Sequence, residues 1–149
     1  MKAKSLLLLI VFSTAVFSSC EKVKDLVGFL ECQIDGGGSV KSLQVFGSKV
    51  DQLLVVNGSG ILGKTVTITL SNYNGVGTYN VSPPSNMIVF GTPGSPTDLF
   101  GADSSSTGVI NITEVDGKYI DGTFSGTLVS NNGNSKTLTN GKFRFISPL

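Results

Sequence analysis

The sequence predicts an all-β domain, an antiparallel β-sandwich or a flattened barrel of about eight to nine short strands. Three observations indicate this fold class. From Gly28 onward glycine and proline interrupt the chain, β-branched residues dominate the segments between them, and no apolar period of 3.6 residues persists over ten residues. Short strands separated by frequent turn residues are typical of sandwiches and barrels.

The clearest strand is Lys64–Leu70, in which Val66, Ile68 and Leu70 take one face and threonines take the other. This period of two indicates a sheet with one face toward water. The other predicted strands are Phe29–Ile34, Val40–Phe46, Gln52–Asn57, Thr78–Val81, Met87–Phe90, Gly108–Glu114, Lys118–Val129 and Lys136–Phe145. Turn-forming steps separate them: Gly36-Gly37-Gly38, Asn57-Gly58, Asn74-Gly75, Pro83-Pro84, Asp116-Gly117 and Asn132-Gly133.

The hairpin at Asp116-Gly117 is predicted to turn through a three-residue loop, 115–117. That register pairs Ile112 with Ile120 and Glu114 with Lys118, whereas a two-residue turn at Asp116-Gly117 would place apolar and polar side chains on one face. An apolar pair and a pair of opposite charges both stabilise an antiparallel ladder. Glycine at position 117 also suits the left-handed residue of such a loop.

The last predicted strand contains an irregularity. Leu138, Phe143 and Phe145 cannot all face the core unless one residue is extra. Asn140-Gly141 is the expected position of a β-bulge, because glycine accepts the backbone angles that a bulge needs.

The N-terminal segment is typical of an export signal. Lys2 and Lys4 precede a twelve-residue run of apolar and small residues, Leu6–Phe17. A transmembrane helix needs about 20 residues, so this run is too short to cross a bilayer but fits a signal peptide.

The end of this segment, Phe17-Ser18-Ser19-Cys20, resembles the lipobox cleaved by the lipoprotein signal peptidase, although an aliphatic residue usually stands where Phe17 does. The resemblance implies cleavage after Ser19 and a covalent diacylglycerol and fatty acid on Cys20. We therefore expect a signal peptide at residues 1–19, a lipidated tether at 20–27 and a β-sandwich domain at 28–149. Two or more acyl chains hold a protein firmly on a membrane, whereas one does so only marginally.

Charge and composition exclude some partners. Loss of Lys2 and Lys4 with the signal peptide leaves nine basic against ten acidic residues, a net charge of −1, and no basic cluster remains. We therefore expect no nucleic-acid partner.

Cys32 is the remaining cysteine of the expected mature chain. In its strand, Cys32 lies on the same side as Leu30 and Ile34, while a charged and an amide residue take the other side. This position predicts a small, inert core residue. The chain contains no histidine that could activate the thiol.

The sequence offers little catalytic chemistry, and we expect no enzyme activity, no catalytic residues and no metal or cofactor. Without histidine, neither a Ser-His-Asp triad nor an imidazole zinc site can form. The acids that could form a pair for glycoside hydrolysis are Glu114 with Asp116, which flank a turn, and Asp98 with Asp103. Nothing in their surroundings separates them from ordinary solvated carboxylates.

The longest segment without predicted structure runs from 91 to 106 and is rich in Gly, Pro and Ser. Loops of this length are often functional. The alternative is a plain connection in which a short edge strand at Leu99-Phe100 holds the middle. The candidate binding loop comprises Thr97, Asp98, Leu99, Phe100 and Asp103.

The second half of the chain carries an ordered set of motifs, Thr107–Glu114 (TGVINITE), Ile120–Gly126 (IDGTFSG) and Thr139–Phe143 (TNGKF). This pattern resembles small all-β lipoproteins of unknown function from Bacteroidota. The resemblance implies a lipoprotein of the outer membrane, on its periplasmic face or on the cell surface, and it brings no catalytic residues.

Three hypotheses on function follow. The first is a non-enzymatic envelope module, anchored to the lipid bilayer through Cys20, that binds an envelope protein or a glycan through loops at one end of the sandwich. The second is a spacer lipoprotein without a ligand. The third is a carboxylate-dependent glycan hydrolase.

Overall fold

A computed structural model describes residues 27–94 and 99–146, and this part of the chain contains no helix. Its eleven strands are β1 (Phe29–Ile34), β2 (Gly38–Ser42), β3 (Val45–Val50), β4 (Leu53–Ser59), β5 (Thr65–Leu70), β6 (Gly77–Asn80), β7 (Asn86–Gly91), β8 (Leu99–Phe100), β9 (Thr107–Asp116), β10 (Tyr119–Val129) and β11 (Ser135–Ile146).

The strands form two antiparallel sheets. The first has the order β2-β1-β11-β10-β9-β6 and the second β3-β4-β5-β7-β8. The prediction of an antiparallel sandwich is therefore confirmed, while the alternative of a flattened barrel is wrong because neither sheet closes on itself. The described residues form eleven strands rather than eight to nine.

The strands of the second sheet lie across the first sheet, from its edge strand β2 toward its edge strand β6. At one end of β4, a side chain on Gly60 would lie 3.4 Å from Val40 of β2. At the other end of β4, the Gln52 carbonyl accepts a 2.7 Å hydrogen bond from Tyr73 N, and the Tyr73 ring stacks on Tyr79 of β6. Turns of the second sheet therefore lie over both edges of the first.

The core lies between the two sheets and follows the period of two in each strand. In β5, Val66, Ile68 and Leu70 point inward and are fully buried, as the alternating pattern predicts. The largest fully buried side chains come from both sheets: Phe90, Phe143, Phe145, Leu30, Leu54, Ile68, Leu70, Ile88, Ile110, Ile112, Ile120 and Leu128.

The predicted strand Val40–Phe46 is two strands, and this prediction was wrong. The chain leaves the first sheet after Ser42 and enters the second at Val45. The Ser42 hydroxyl accepts a hydrogen bond from the Gln44 amide at 3.2 Å and donates one to the Gln44 carbonyl at 2.6 Å. A serine side chain therefore closes this corner, where no glycine or proline marks a turn.

The predicted register of the β9–β10 hairpin was also wrong. Ile120 pairs with Val115 rather than with Ile112, and Gly122 pairs with Ile112, so that Thr113 is an extra residue in β9. This bulge keeps the β9 isoleucines on the core face after a tighter turn than predicted. Gly122 has no side chain because the Phe143 ring occupies that space: a Cβ there would lie 2.4 Å from Phe143 Cζ.

The predicted bulge in the last strand is confirmed. Between the pairs Phe124–Gly141 and Gly126–Leu138, β11 has one more residue than β10. Asn140 adopts a positive φ of 52° at this point. The bulge restores the inward orientation of the residues on both sides of it.

The predicted signal peptide at 1–19, Cys20 and all of the tether except Val27 lie outside the described residues. Within 27–94 and 99–146, the structure has no helix that is long and apolar enough to span a bilayer.

Candidate functional site

A row of polar side chains crosses the outer face of the six-stranded sheet from one edge to the other. Its members occupy directly opposite register positions on six adjacent strands: Lys41, Glu31, Lys142, Thr123, Asn111 and Thr78. Neighbouring charges along the row alternate in sign, which stabilises cross-strand pairs. We call this set the polar row.

Hydrogen bonds orient one half of the polar row. Thr78 Oγ1 donates to Asn111 Oδ1 at 2.8 Å, and Asn111 Nδ2 donates to Thr123 Oγ1 at 3.5 Å. The other half presents the Glu31 carboxylate between two lysine ammonium groups. The row therefore offers donors and acceptors along its whole length.

The bulge in β11 shapes the surface beside the polar row. Its Asn140 side chain donates a 2.9 Å hydrogen bond from Nδ2 to Gln33 Oε1. Two depressions, of about 350 and 420 Å³, adjoin it and share Asn140 and Lys142 in their linings. The first also contains Gln33, Ser39 and Lys41, and the second contains Asn111, Thr123 and Ser125. The result is an uneven polar surface with amide, hydroxyl and ammonium groups.

An arginine clamp lies at one end of the same face. Arg144 donates from Nε to Asp121 Oδ1 at 2.7 Å and from Nη2 to Asp121 Oδ2 at 2.6 Å. Its guanidinium carbon lies 4.6 Å from the centre of the Tyr119 ring and 5.9 Å from that of Phe29. The Tyr119 hydroxyl donates to Glu114 Oε1 at 2.7 Å. The clamp thus joins side chains from four neighbouring strands, β1, β11, β10 and β9.

The electrostatics of the clamp explain its composition. Asp121 lies directly opposite Glu114, and like charges at opposite positions destabilise a sheet. Arg144 offsets this repulsion, and the Asp121 carboxylate raises the pKa of Arg144 chiefly by accepting its hydrogen bonds. The sequence prediction missed this cluster because it paired Glu114 with Lys118. The correct register would have brought Asp121 and Glu114 together.

The structure places the candidate binding loop only in part. Thr97 and Asp98 lie outside the described residues. Phe100 is buried against Phe90, with ring centres 6.1 Å apart, whereas Leu99 is half exposed. These two residues form β8, which pairs with β7. The short edge strand at Leu99-Phe100 is thus present, as the alternative predicted. Phe100 belongs to the core and is not available to a ligand.

Asp103 closes a turn in the same segment. Its Oδ1 accepts hydrogen bonds from the Ser105 backbone amide at 2.8 Å and from the Ser105 hydroxyl, and these hydrogen bonds lower the pKa of Asp103. Ser106, the residue directly before β9, accepts a 2.9 Å hydrogen bond at its hydroxyl from Val129 N. A general acid works best with a raised pKa, so the geometry suits a structural role for this carboxylate.

The other predicted acids, Glu114 and Asp116, both lie on β9, two residues apart and before the turn. Glu114 accepts the hydrogen bond from Tyr119, and Asp116 lies exposed opposite Tyr119 at the turn. Among residues 27–94 and 99–146, no group of three or more His, Cys, Asp or Glu side chains could hold a metal ion.

One family comparison covers most of this fold. Residues 43–147, more than half of the chain, match the family described as Domain of unknown function (DUF6252). The chain belongs to the DUF6252 family. Searches of curated proteins and of solved structures each found no match. The resemblance to an uncharacterised protein family is thus confirmed at this level.

The DUF6252 match begins after β2, so it divides the polar row. Thr78, Asn111, Thr123 and Lys142 lie within the matched residues, whereas β1 and β2 precede them. In the structure, β1 nevertheless pairs with β11 over most of its length. The N-terminal hairpin therefore completes a sheet whose other strands belong to the DUF6252 region.

Cys32, on the N-terminal hairpin of this DUF6252 protein, is a free cysteine buried in the core, as its alternation predicted. Burial raises the pKa of its thiol to about 11 from an ordinary value of 9.0, and a hydrogen bond with the Val40 backbone has the smaller, opposite effect. A thiol with so high a pKa is mostly protonated at neutral pH and is a poor nucleophile.

Proposed function

We propose that this protein is an envelope lipoprotein, anchored through acylated Cys20, whose sandwich domain is a non-enzymatic module that binds a glycan on the polar row. The observation that carries the binding part is the continuous series of hydroxyl, amide and charged side chains across all six strands, with depressions beside it. The anchoring part rests on the sequence pattern of residues 1–20.

The chemistry of the surface favours a glycan over a protein partner. The cores of protein interfaces are enriched in aromatic residues and depleted of charged ones. None of the large, exposed apolar side chains of the described residues belongs to the polar row, which offers Thr, Asn, Lys and Glu instead. Hydroxyl-rich polymers need such alternating donors and acceptors, supplied here by Asn111, Thr123 and Lys142.

Three of the described carboxylates support a non-enzymatic role. Asp121 is paired with Arg144, Glu114 accepts a hydrogen bond from Tyr119, and Asp103 is held by Ser105. Each is occupied in a structural contact. A hydrolase would instead need one acid with a raised pKa facing a second carboxylate across a cleft. Hydrolysis of envelope glycans that disappears in a Glu114→Gln variant would contradict this part of the proposal.

Binding is tested with the purified full-length protein and soluble fragments of envelope glycans in isothermal titration calorimetry. We expect a double variant, Thr123→Val with Lys142→Met, to bind at least tenfold more weakly. Thr69→Val makes the same hydroxyl deletion on the outer face of the second sheet and should bind like the unaltered protein. Absence of binding to every glycan, or equal affinity of the double variant, would overturn the glycan assignment and leave a spacer or a protein-binding role.

Anchoring is tested separately by cell fractionation. We expect the unaltered protein in the membrane fraction and the Cys20→Ser variant outside it, because stable anchoring needs two or more acyl chains. An unchanged membrane fraction in the variant would contradict the anchor.

A further inference from the structure

Two large aliphatic side chains project from the tip of the β4–β5 turn. Ile61 is 98% exposed and Leu62 is 75% exposed. The turn beneath them is closed by backbone hydrogen bonds from Gly60 N to the Lys64 carbonyl at 2.8 Å and from Gly63 N to the Gly60 carbonyl at 2.9 Å. The chain is thus held in a tight turn that presents both residues to solvent.

This tip lies at the β2 edge of the first sheet. Ile61, Leu62 and Lys64 line a depression together with Ser39 and Lys41 of β2. The Lys64 ammonium group also lies against the start of β2, 3.2 Å from the position that a Cβ on Gly38 would take. The turn is therefore continuous with the outer edge of β2.

A second apolar group occupies the same edge. Val27 is 53% exposed and Leu43 is 69% exposed, and both line a depression of about 510 Å³ that also includes Lys41. Lys41 borders both depressions, so it joins the two groups. We call the set Val27, Lys41, Leu43, Ile61, Leu62 and Lys64 the membrane edge.

The start of the described chain indicates what could cover this edge. Val27 is its first residue and stands seven residues after Cys20. A fully extended chain spans about 3.5 Å per residue, so Cys20 can lie no more than about 25 Å from Val27. If Cys20 is acylated, the edge that carries Val27 stays within that distance of the bilayer.

The charges of the edge suit the same occupant. Lys41 and Lys64 flank the exposed aliphatic side chains, and Glu31 is the acid opposite Lys41. Apolar side chains flanked by lysines are typical of segments that lie in the interface of a bilayer, where the ammonium groups meet phosphates.

We propose that the membrane edge rests on the bilayer, with Ile61 and Leu62 inserted among the lipid headgroups and upper acyl chains. This inference depends on the proposed acylation of Cys20 and adds an orientation to it. The six-stranded sheet would stand upright on the bilayer, because its strand order runs from β2 at the membrane to β6 at the far side. The polar row, apart from Lys41 at the membrane, would then lie on the side of the domain, open to a ligand.

The absence of tryptophan from the chain makes a direct test possible. Leu62→Trp places a single indole on the membrane edge. Val76→Trp places one on the turn before β6, where the valine is 64% exposed. Each full-length variant is extracted from membranes, its acylation is measured by intact mass, and it is reconstituted in vesicles of phosphatidylcholine and phosphatidylglycerol with brominated acyl chains.

In these vesicles we expect the emission of the Leu62→Trp variant to shift to the blue and to lose at least half of its intensity to the bromines. The Val76→Trp variant should keep its solvent-exposed emission. Acylated, vesicle-bound protein in which both variants emit alike would overturn the proposed orientation while leaving the anchor intact. A chain that carries no acyl mass and does not associate with the vesicles would overturn the anchor, and the orientation with it.

Discussion

The two edges of the six-stranded sheet share one architecture but treat their apolar side chains differently. A turn of the second sheet lies over each edge strand. At the β6 edge, the Tyr73 and Tyr79 rings stack with their centres 6.3 Å apart, and the Tyr79 hydroxyl donates to the Gly75 carbonyl and accepts from Asn74 N. At the β2 edge, Ile61 and Leu62 extend into solvent.

This difference indicates that apolar side chains stabilise the fold at the β6 edge, whereas those at the β2 edge are exposed at the surface. The chain covers the β6 edge with its own aromatic rings, and Val76 is the large apolar side chain left exposed on the preceding turn. In the described chain, no stacked aromatic rings cover the aliphatic side chains of the β2 edge, and Ile61 and Leu62 stay exposed. Because these side chains do not pack in the domain, substitutions of them should affect contact with a membrane rather than the stability of the fold.

The largest effect on stability should come from truncating a buried isoleucine, with an exposed isoleucine as the matched control. Ile68 is fully buried in β5, so we expect Ile68→Ala to lower the free energy of unfolding by about 2–5 kcal/mol. Ile61→Ala makes the same change at the tip of the membrane edge and should cost less than about 0.5 kcal/mol. Denaturant unfolding of both variants measures the difference. Similar costs would mean that the tip packs against the domain.

The arginine clamp, which joins side chains from four neighbouring strands, should have the next largest effect. Arg144→Met leaves Asp121 opposite Glu114 without the cation between them. Because the Arg144 and Asp121 side chains are only 14% and 18% exposed, we expect a loss of about 2 kcal/mol in the free energy of unfolding. The double variant with Asp121→Asn should recover part of that loss in a double-mutant cycle. Strictly additive losses would show that the pair contributes no coupling.

At the β6 edge, Tyr79→Phe removes a hydroxyl that makes two hydrogen bonds to the preceding turn. Each such hydrogen bond contributes about 1 kcal/mol, so we expect a destabilisation of about 1–2 kcal/mol by thermal or denaturant unfolding. Leu62→Ser at the opposite edge should leave the unfolding curve almost unchanged. The contrast between edges disappears if the serine variant is the less stable of the two.

The smallest effect concerns Cys32, which lies on β1 and pairs with Val40 of the edge strand β2. Its folded pKa of about 11 exceeds the unfolded value of about 9, so its contribution to stability is complete below pH 9 and is lost as the pH rises through 11. In a Cys20→Ser protein, we expect the thiol to react with a disulfide reagent at pH 8 at least a hundredfold more slowly than in urea. Rapid reaction of the folded protein would show that the β2 edge opens.

Local patterns predicted those parts of the fold that depend on a single strand. The alternation in Lys64–Leu70 predicted β5 and its core face, and the parity of Leu138 with Phe143 predicted the bulge at Asn140. The sequence did not reveal the corner at Ser42, because a serine hydroxyl rather than a glycine or proline makes that turn.

Features that depend on the register between strands were not predictable in this way. The sequence of the β9–β10 hairpin alone does not determine the length of its turn, and the extra residue at Thr113 corrects the register after the shorter turn. The position of Gly122 depends on a third strand, because the Phe143 ring of β11 occupies the space that a side chain would need. The pair Arg144–Asp121 joins residues on different strands, so it follows only from the correct register. Predicting the polar row likewise requires the correct register of all five strand pairs in the six-stranded sheet.

The measurement that tests the account most directly is the intact mass of the full-length protein extracted from the membrane of a bacterium that processes lipoproteins. We predict a chain that begins at Cys20 and carries the added mass of a diacylglycerol and a fatty acid. A chain that retains Lys2 and Lys4 and has no acyl mass would contradict the anchor and, with it, the orientation of the membrane edge.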